Sequence, residues 1–550
     1  MSLIPPSETL SVEFNSDRKT ISDTVISEEI VALANTDGGD LYVGVEDDGS
    51  VTGAQPQHRD PIRMTAMIAN KTVPPISVRS EILDEELPVL HVEVPRSLSI
   101  VATSSGKMLR RRLKEDGKPA SVPMYPYEIA TRLSDLGRLD YSAQPMPDSS
   151  CDDFDPIERQ RLRRIISSSR NSDRSLLELE DEELERALGL TTTVGDKQVP
   201  TLAGVLILGK ETSIKRLAPS AKSAFQVLQG TDIKVNDEYG GGLLKTIERI
   251  SEAIEPWNPV TEIPYGLFTD PVPAFDRRAL REALVNAFGH RDYSILGNVR
   301  VLIDDAGITI SNPGGFVEGV TVKTLLTAEP HGRNPCLMDA LKRIGLAERT
   351  GRGVDRIFEG SLLYGRPLPD YSESTSTVVR LFIARSEPDL AFVSLLADES
   401  RKSGKPMPIQ SLLVLDALKR MRRTSVSDLQ AEVDVQPTRL KQTVELLTEA
   451  GLVEASGNRR SRMYHLSSHL YRSARKGLEY VRQTDIDRLR YPELIMKLAE
   501  SQGRVSTASV GELLHIDKNS AYYEIRKLVN EGRLRKEKNG PDAYYTPVNV

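Results

Sequence analysis

The spacing of apolar residues predicts an amphipathic helix around the segment "REALVNAFGHRDYS", residues 281–294. Its apolar positions follow the pattern of one buried helix face: Leu280, Ala283, Leu284, Ala287 and Phe288. A second stripe is polar and continues past the helix end: Glu282, Asn286, His290, Arg291 and Asp292. A carboxylate, an amide and an imidazole in one row can hold a metal-bound phosphate, with the carboxylate orienting water and the amide oxygen binding the metal. The alternative is a polar helix edge closed by hydrogen bonds between residues four apart.

Changes of period mark further elements along the chain. The segment "EEIVALANTDGGDLYVGVEDDGSVTG", residues 28–53, changes from a helical pattern to strand alternation after its Gly-Gly pair. The Asp-Gly pair at 48–49 predicts a hairpin. The apolar run "VPTLAGVLILGK", residues 199–210, predicts a buried strand. Residues 275–385 then contain the opening helix, two glycine-rich turns and a closing strand, "STVVRLFIARS".

Two segments have the composition of linkers. The acidic, proline-rich stretch "AQPMPDSSCDDFDP", residues 143–156, predicts the first domain boundary. The stretch "DESRKSGKPMP", residues 398–408, predicts the second.

Beyond residue 408 the chain repeats itself weakly at an offset of 81 residues, so that Leu440, Val444, Leu447 and Gly451 correspond to Ala521, Ile525, Leu528 and Gly532. Each copy predicts an apolar helix, a short helix, a turn, a longer helix and a strand pair with a basic loop. This is the element order of a winged helix. Winged helices bind DNA, and they also serve as dimerisation or protein-docking modules.

Candidate nucleic-acid contacts lie on the longer helices, in the two wing loops and in a basic triplet near the N-terminus, because cations there can reach phosphates. They are Arg110, Arg111, Arg112, Arg439, Lys441, Arg459, Arg460, Arg462, Lys518, Asn519, Tyr522, Arg526, Lys536 and Lys538.

Composition limits the classes of function. A chain of 550 residues has room for about three to five domains. The formal net charge of -7 excludes a uniformly basic coat, so nucleic-acid binding has to use local basic patches. Cys151 and Cys336 lack the spacing of a zinc motif and fit a reducing compartment. The polar N-terminus and short apolar runs predict neither a signal peptide nor a membrane span, and we expect a cytoplasmic protein.

The N-terminal segments "ETLSVEFNSDRKT" and "EEIVALANTDGGDLYVGVEDDGSVTG" resemble the Schlafen/AlbA-type DNA-binding domain of bacterial regulators. The A-N-T-x-G-G turn and the G-V-x-D-x-G hairpin carry this resemblance. The strand "GKMLRRR", residues 106–112, stands where that family has G-x-x-Y-x-R.

The following motifs, "VPTLAGVLILGK", "EALVNAFGHRDYS", "ITISNPGGF" and "GRNPCLMDALKRIGLAERTGRGVDRI", resemble a RecG-like C-terminal region related to the GHKL ATPases. Together, the N-terminal resemblance and this one cover about residues 5–385. It implies that Glu282 activates water and that Asn286 holds magnesium beside ATP. Ser311 stands where the family has the Asp that reads adenine, so the resemblance leaves the base open. The matching turn and phosphate-binding positions are Asn312, Gly314, Gly315, Gly351 and Gly353, with His290 and Asp292 beside them.

A nuclease alternative comes from the same N-terminal resemblance. In Schlafen nucleases, two Glu and one Asp bind the metal, and Glu8, Glu13 and Asp47 correspond to them. The family's neighbouring Lys is Asn15 in this chain, and only Lys19 is placed to substitute for it. We therefore expect no nuclease activity, and at most slow nucleotide hydrolysis by Glu282.

The sequence as a whole predicts an α+β multidomain protein: a Schlafen/AlbA-type domain over residues 1–142, a GHKL-like α/β sandwich over 157–388, and winged helices over 406–475 and 485–550. The preferred function is a DNA-binding transcriptional regulator gated by a nucleotide or related ligand, with ATP and Mg²⁺ bound. We expect double-stranded DNA as its partner, no membrane contact, and a homodimer. The alternatives are a metal-dependent nuclease in stress or phage defence, and a nonenzymatic scaffold with a degenerate nucleotide fold.

Overall fold

The computed structural model describes residues 4–265, 268–317, 319–328, 332–348, 351–433, 435–456, 462–467, 491–514, 518–537 and 544–548. These residues form a mixed α+β structure with several small sheets. No helix in these ranges is long and apolar enough to cross a lipid bilayer.

The N-terminal unit places helices against a four-stranded sheet. In chain order its elements are β1 (Val12–Asn15), α1 (Asp23–Ala34), β2 (Gly39–Val43), α2 (Pro61–Lys71), β3 (Thr72–Val73), β4 (Arg79–Asp84), β5 (Pro88–Val94), β6 (Ala102–Thr103), β7 (Leu109–Leu113), β8 (Pro119–Pro123) and α3 (Pro126–Asp135). The sheet order is β1-β2-β5-β4, with β1 parallel to β2 and the other pairs antiparallel. The buried face of α1 supplies much of this unit's core.

The predicted change from helix to strand at the Gly-Gly pair is confirmed, because α1 ends at Ala34 and β2 begins at Gly39. Gly39 has a φ of 141°, and a Cβ built on it would lie 2.1 Å from the carbonyl oxygen of Ser11. Only glycine fits this close approach of two backbones. The Asp-Gly pair lies in a tight turn, which the antiparallel bridge between Val45 and Val51 closes.

The central unit is built on a five-stranded sheet. Its elements are α4 (Pro156–Ser168), α5 (Asp181–Ala187), β9 (Thr191–Val194), β10 (Lys197–Pro200), α6 (Leu202–Leu208), α7 (Glu211–Leu217), β11 (Lys222–Gln229), β12 (Asp232–Tyr239), α8 (Leu243–Ile254), β13 (Val260–Tyr265), β14 (Phe268–Pro273), α9 (Arg277–Gly289), β15 (Asn298–Ile303), β16 (Gly307–Pro313), α10 (Pro335–Arg343), α11 (Gly353–Leu362), β17 (Val378–Ala384) and α12 (Leu390–Ser403). The sheet order is β12-β11-β15-β16-β17, in which only β11 and β15 are parallel.

The buried strand predicted for residues 199–210 is wrong for most of that run. Only its start belongs to β10, and Leu202–Leu208 form α6, which is buried on all sides. The side-chain oxygen of Thr201 accepts a hydrogen bond from the backbone N–H of Gly204 and so caps the helix. An apolar run with no polar face shows no period, so its sequence does not distinguish a buried strand from a buried helix.

Both segments predicted as linkers contain residues that pack against neighbouring elements or belong to a helix. In residues 143–156, Phe154 is buried in the core of the central unit, and bridges join Pro145 to Thr201 and Phe154 to Gly209. In residues 398–408, helix α12 continues to Ser403 before the left-handed Gly404. Proline and acidic residues therefore marked packed segments as well as loops.

The C-terminal region contains two groups of elements. The first is α13 (Ile409–Met421), α14 (Val426–Glu432), α15 (Pro437–Glu449), β18 (Val453–Ser456) and β19 (Met463–Leu466). The second is α16 (Tyr491–Gln502), β20 (Val505–Ser506), α17 (Thr507–Leu514), α18 (Lys518–Asn530), β21 (Leu534–Lys536) and β22 (Tyr544–Pro547). Each group follows the order of helices and strands that the repeat predicts, except that the second group also has the short strand β20 after its first helix. The first group also shares its core with Leu362 and Phe358 of α11.

Gly204 provides a test of the packing of α6. A Cβ at this position would lie 1.9 Å from the carbonyl oxygen of Leu190, a backbone atom. We expect Gly204→Ala to destabilise the central unit by roughly 1 to 3 kcal/mol, because the helix has to shift. Thermal unfolding followed by the fluorescence of Trp257, which packs against this core, measures the effect. Gly240→Ala is the control, because a Cβ there meets nothing within 4 Å. Equal unfolding midpoints for the two variants would contradict the prediction.

Candidate functional site

Helix α9 presents the polar stripe that the sequence predicts. The carboxylate of Asp276 caps the helix by accepting hydrogen bonds from the backbone N–H groups of Arg278 and Ala279, both at 2.9 Å. The apolar positions of the helix are buried in the core of the central unit. The opposite face therefore has a fixed orientation, and its side chains point toward the segments around α10 and α11.

Helix α11 packs closely on α9 through two glycines seven residues apart. A Cβ on Gly353 would lie 3.1 Å from Oε2 of Glu282 and 3.6 Å from Nδ2 of Asn286. A Cβ on Gly360 would lie 2.6 Å from the Cβ of Ala279. Residues seven apart share one helix face, so both glycines face α9. The earlier glycine of α11 meets the later residues of α9, and the later glycine meets an earlier one, so the two helices run antiparallel. The beginning of α11 therefore lies beside the Glu and Asn of the stripe.

Glu282 is a buried carboxylate with an unsatisfied oxygen. Its residue is 2 % exposed, and Oε2 has no hydrogen-bond partner among the described residues. Burial raises the pKa of Glu282, and the guanidinium of Arg281, 3.8 Å from Oε1, acts in the opposite direction. A carboxyl group held in this way can accept a proton or a hydrogen bond from a bound molecule.

The other residues of the stripe meet different neighbours. Asn286 is half-buried beside Gly353, and His290 is half-buried with its imidazole Cε1 2.8 Å from the position of a Cβ on Gly332. The structure therefore brings Glu282, Asn286 and Gly353 together at one end of the stripe. His290 lies at the other end.

Asp292 has both carboxylate oxygens bound within the protein. Oδ1 accepts hydrogen bonds from the backbone N–H and the hydroxyl of Ser294, at 2.9 and 2.6 Å. Oδ2 accepts one from the hydroxyl of Thr131 on α3, at 2.9 Å. Asp292 thus joins the central unit to the N-terminal unit.

The glycine turn after β16 is packed against protein groups. Gly314 has a φ of 94°, and a Cβ on it would lie 2.1 Å from Nη1 of Arg333. Asn312 is buried, whereas Ser311 is half-buried on β16 between β15 and β17. Gly315 lies against the backbone of Ser376.

Arg333 is a buried cation at this junction. It is 2 % exposed, and its Nε and Nη2 donate to Oδ1 of Asp135 at 2.8 and 2.5 Å. Nη1 donates to the backbone oxygen of His290 at 3.1 Å, and Nη2 to that of Gly315 at 3.2 Å. The hydroxyl of Ser134 donates to the backbone oxygen of Arg333 at 2.8 Å. The end of α3 is therefore attached directly beside the predicted nucleotide turn.

A second group of charged residues lies in the N-terminal unit around Arg111. This residue is 1 % exposed, and its guanidinium pairs with the carboxylates of Glu13 and Glu29. It also donates to the backbone oxygen of Thr9 at 3.1 Å. The predicted role of Arg111 in phosphate binding is corrected by this burial, because its guanidinium is enclosed by protein acceptors. Sequence reasoning missed Glu29, whose only signal is its place in an acidic pair on α1.

The carboxylates near Glu13 are Glu8 and Glu29. Burial raises the pKa of Glu13 to about 8, Glu29 and Glu8 add to the shift, and Arg111 opposes it. Glu8 accepts a hydrogen bond from the backbone N–H of Phe14 at 3.1 Å, whereas Asp47 is exposed in the turn after β2. Within the described ranges, no three His, Cys, Asp or Glu side chains are grouped as a metal site would require.

The two neighbours of Arg111 point outward. Arg110 and Arg112 each have 35 % exposed side chains, and both donate to Oε1 of Glu128, at 3.0 and 2.5 Å. Arg112 also lies 5.0 Å from the ring centre of Tyr125, which stacks on Tyr127. Both tyrosines are exposed.

The C-terminal candidates are mainly surface residues. Those with exposed side chains are Arg439 and Lys441 on α15, Arg462 at the start of β19, Lys518, Tyr522 and Arg526 on α18, and Lys536 on β21. Arg459, Arg460 and Lys538 lie outside the described residues, as does the side chain of Asn519.

Comparison with protein families assigns three segments. Residues 8–119 match the family "Schlafen, AlbA_2", residues 132–223 match "Domain of unknown function (DUF8451)", and residues 297–382 match "Putative ATP-dependent DNA helicase recG C-terminal". The last match begins after α9, so Glu282 and Asn286 precede it. The second match spans the segment predicted as a linker, in agreement with its packing.

Among solved structures, the chain is similar to the DIP2311 protein from Corynebacterium diphtheriae. The two share 20 % sequence identity with a TM-score of 0.52, over 98 % of this chain and 95 % of that one. This likeness concerns the fold alone. No curated protein matches the chain.

The fold and the matched segments define a mixed α+β protein that joins a Schlafen/AlbA-type segment to an ATPase-like segment. The chain thus contains a Schlafen/AlbA_2-type segment over residues 8–119 and a segment similar to the RecG C-terminal, ATPase-like family over residues 297–382.

The raised pKa of Glu13 predicts a pH dependence of local stability. Between its ordinary value of 4.5 and about 8, the folded protein holds a proton that the unfolded chain releases. The free energy of unfolding should therefore fall as pH rises through this window, by at most about 1.4 kcal/mol per pH unit. Glu13→Gln should remove the dependence.

Hydrogen exchange of the amides in β1 and α1, compared between variants at each pH, measures this local stability. Wild type should lose protection relative to Glu13→Gln as pH rises, and the exposed Glu93→Gln of the same sheet should behave as wild type. A difference between wild type and Glu13→Gln that is independent of pH would contradict the shift.

Proposed function

We propose that the protein is a DNA-binding transcriptional regulator, in which winged helices recognise DNA and a bound nucleotide controls that binding. The observation that carries the proposal is the division of α18 into two faces. Ala521, Ile525 and Leu528 are buried, whereas the exposed side carries Lys518, Tyr522, Tyr523, Arg526 and Lys527. Cations and exposed aromatic rings on one face of a helix fit the phosphates and base edges of a major groove.

The first C-terminal group supports the same role. Leu440, Val444 and Leu447 of α15 are buried, and Arg439 and Lys441 are exposed at its beginning. Two such helices in one chain extend the DNA-binding surface. A homodimer, which we include in the proposal, would repeat the surface about a two-fold axis and read symmetric half-sites.

The N-terminal unit offers a further cationic and aromatic surface. Arg110 and Arg112 reach solvent beside Tyr125 and Tyr127, so cations and stacked rings are available together. Their shared partner Glu128 holds both guanidinium groups in place. Phosphate contacts by these two arginines would position the unit without reading sequence.

The polar stripe of α9 supports nucleotide binding at its Glu282 end. The amide oxygen of Asn286 is a suitable ligand for Mg²⁺, and the missing side chain of Gly353 lets a phosphate approach the backbone at the beginning of α11. The metal would neutralise phosphate charge when bound. The unpartnered Oε2 of Glu282 can orient water. Ser311 replaces the adenine-reading Asp, and Arg333 packs on Gly314 at the glycine turn. The proposal therefore depends on the residues that would bind the phosphates and leaves the base open.

Helix α11 gives the gate a physical connection. It begins beside Asn286 and ends at Leu362, which lies in the core of the first C-terminal group. Arg333 connects the other end of the stripe to α3. A ligand that changes the spacing of α9 and α11 therefore acts on elements attached to both DNA-binding regions.

DNA affinity should fall steeply with salt, because each phosphate contact releases counterions. We expect Arg526→Ala to weaken duplex binding and to reduce the slope of log K against log salt by about 0.9, the value for a single phosphate. Fluorescence anisotropy with full-length protein and labelled duplex DNA measures both quantities.

Lys402→Ala is the matched control, because Lys402 is an exposed cation on α12, a helix that carries none of the proposed DNA contacts. The control should keep the wild-type slope. Identical slopes for Arg526→Ala and wild type would place the DNA-binding surface elsewhere.

Magnesium nucleotide should stabilise the protein. A ligand at about 100 times its dissociation constant adds roughly 2.7 kcal/mol, which a shift in melting temperature can show. We expect Asn286→Ala to abolish this shift and any effect of the nucleotide on DNA affinity. ATP and GTP are tested in parallel, because Ser311 replaces the family's adenine-reading Asp.

Asn236→Ala is the control, because Asn236 is exposed on β12 at the far edge of the sheet. A shift that persists in Asn286→Ala would move the site, and no shift with either nucleotide would favour the scaffold alternative. Slow hydrolysis, if it accompanies binding, should stop in Glu282→Gln.

A further inference from the structure

A cavity of about 480 Å³ lies beside the beginning of α9. Its walls are the end of α4 and the following turn, the first turns of α9, the segment after α10, and one side chain of α11. Neither Asn286 nor the glycine turns after β16 line it. The lining of the cavity therefore differs from the phosphate end of the proposed nucleotide site, although Glu282 borders both.

Arginines dominate the charge of this cavity. Arg170, Arg278, Arg281 and Arg356 line it, against the two carboxylates of Glu282 and Glu348. Arg356 pairs with Glu348 at 3.0 Å, and Arg281 lies 3.8 Å from Glu282. Arg170 and Arg278 have no ion-pair partner in the part of the chain that the structure describes. The cavity therefore has an excess of positive charge even with both carboxylates ionised, and guanidinium groups match phosphate oxygens well.

Glu282 adds an acceptor to these donors. The backbone N–H of Glu348 donates to its carboxylate, and Oε2 remains without a partner among the described residues. A buried acceptor without a partner is costly, so a ligand that donates a hydrogen bond there would gain affinity. The lining therefore fits a molecule that carries both an anionic group for the arginines and a hydrogen-bond donor for Glu282.

We propose that this cavity binds a small phosphorylated metabolite that carries a hydroxyl or amino donor, with the arginines on its phosphate and Glu282 on its donor. The volume lies within the range of small-molecule sites. This site goes beyond the proposed nucleotide gate, because it needs neither magnesium nor Asn286.

The test uses full-length protein without magnesium and two probes that differ in donors: ribose 5-phosphate and inorganic phosphate. Isothermal titration should show tighter binding of ribose 5-phosphate. The double variant Arg278→Gln/Arg281→Gln should lose at least about tenfold in affinity. Arg277→Gln is the matched control, because this neighbour on the same helix pairs with Glu255 and does not line the cavity. The control should bind as wild type.

Glu282→Gln tests the acceptor. The amide oxygen would take the N–H of Glu348, which leaves an N–H₂ donor where Oε2 now stands. The preference for ribose 5-phosphate over phosphate should then disappear, while melting temperature reports that the variant is folded. A preference that survives in Glu282→Gln would overturn the acceptor role. No binding of either probe to wild type, or equal binding by the arginine double variant, would overturn the site, whatever magnesium nucleotide does at Asn286.

Discussion

The close contact of α9 with α11 is the constraint on which the central unit's candidate chemistry depends. Gly353 and Gly360 remove side chains from one face of α11, and this lets α9 approach at Ala279 and again at Glu282 and Asn286. The buried apolar face of α9 prevents the helix from rotating to expose Glu282. Burial in turn raises the pKa of that carboxyl, so helix packing sets the position of the group and also shifts its pKa.

The two helices of this contact are also attached to other parts of the protein, α11 at its C-terminal end and α9 beyond its C-terminal end. The far end of α11 contributes Leu362 to the core of the first C-terminal group, so this group cannot move independently of α11 without exposing apolar surface. Beyond α9, Arg333 and Asp292 hold α3 through several hydrogen bonds. Packed elements of this kind transmit displacements because interiors are close-packed and hardly compressible. The proposed gate requires that these elements can also adopt a second arrangement, and that the ligand favours one of the two.

Sequence patterns predicted those features that are local in the chain. The stripe of α9 and the turn before β2 follow from the helical period and from glycines that meet backbone atoms. The run 199–210 misled because a helix buried on all sides has no polar face. The sequence predicted Arg111 as a nucleic-acid contact and gave no role to Arg333, because the carboxylate partners of both residues are distant in sequence, 198 residues away for Arg333 and Asp135. Nothing in a local window identifies such a pair.

The buried Arg333 explains how the N-terminal and central units keep a defined orientation. A buried ion pair adds little net stability, because desolvation offsets most of its attraction, but breaking one partner leaves an uncompensated charge. Arg333 satisfies Asp135 and two backbone oxygens only in the observed arrangement of α3 and the turn after β16. Any other orientation of the units would leave several of these groups unpaired in the interior. The junction therefore favours the observed arrangement over neighbouring orientations, which is the property that a ligand at either end of α9 could use.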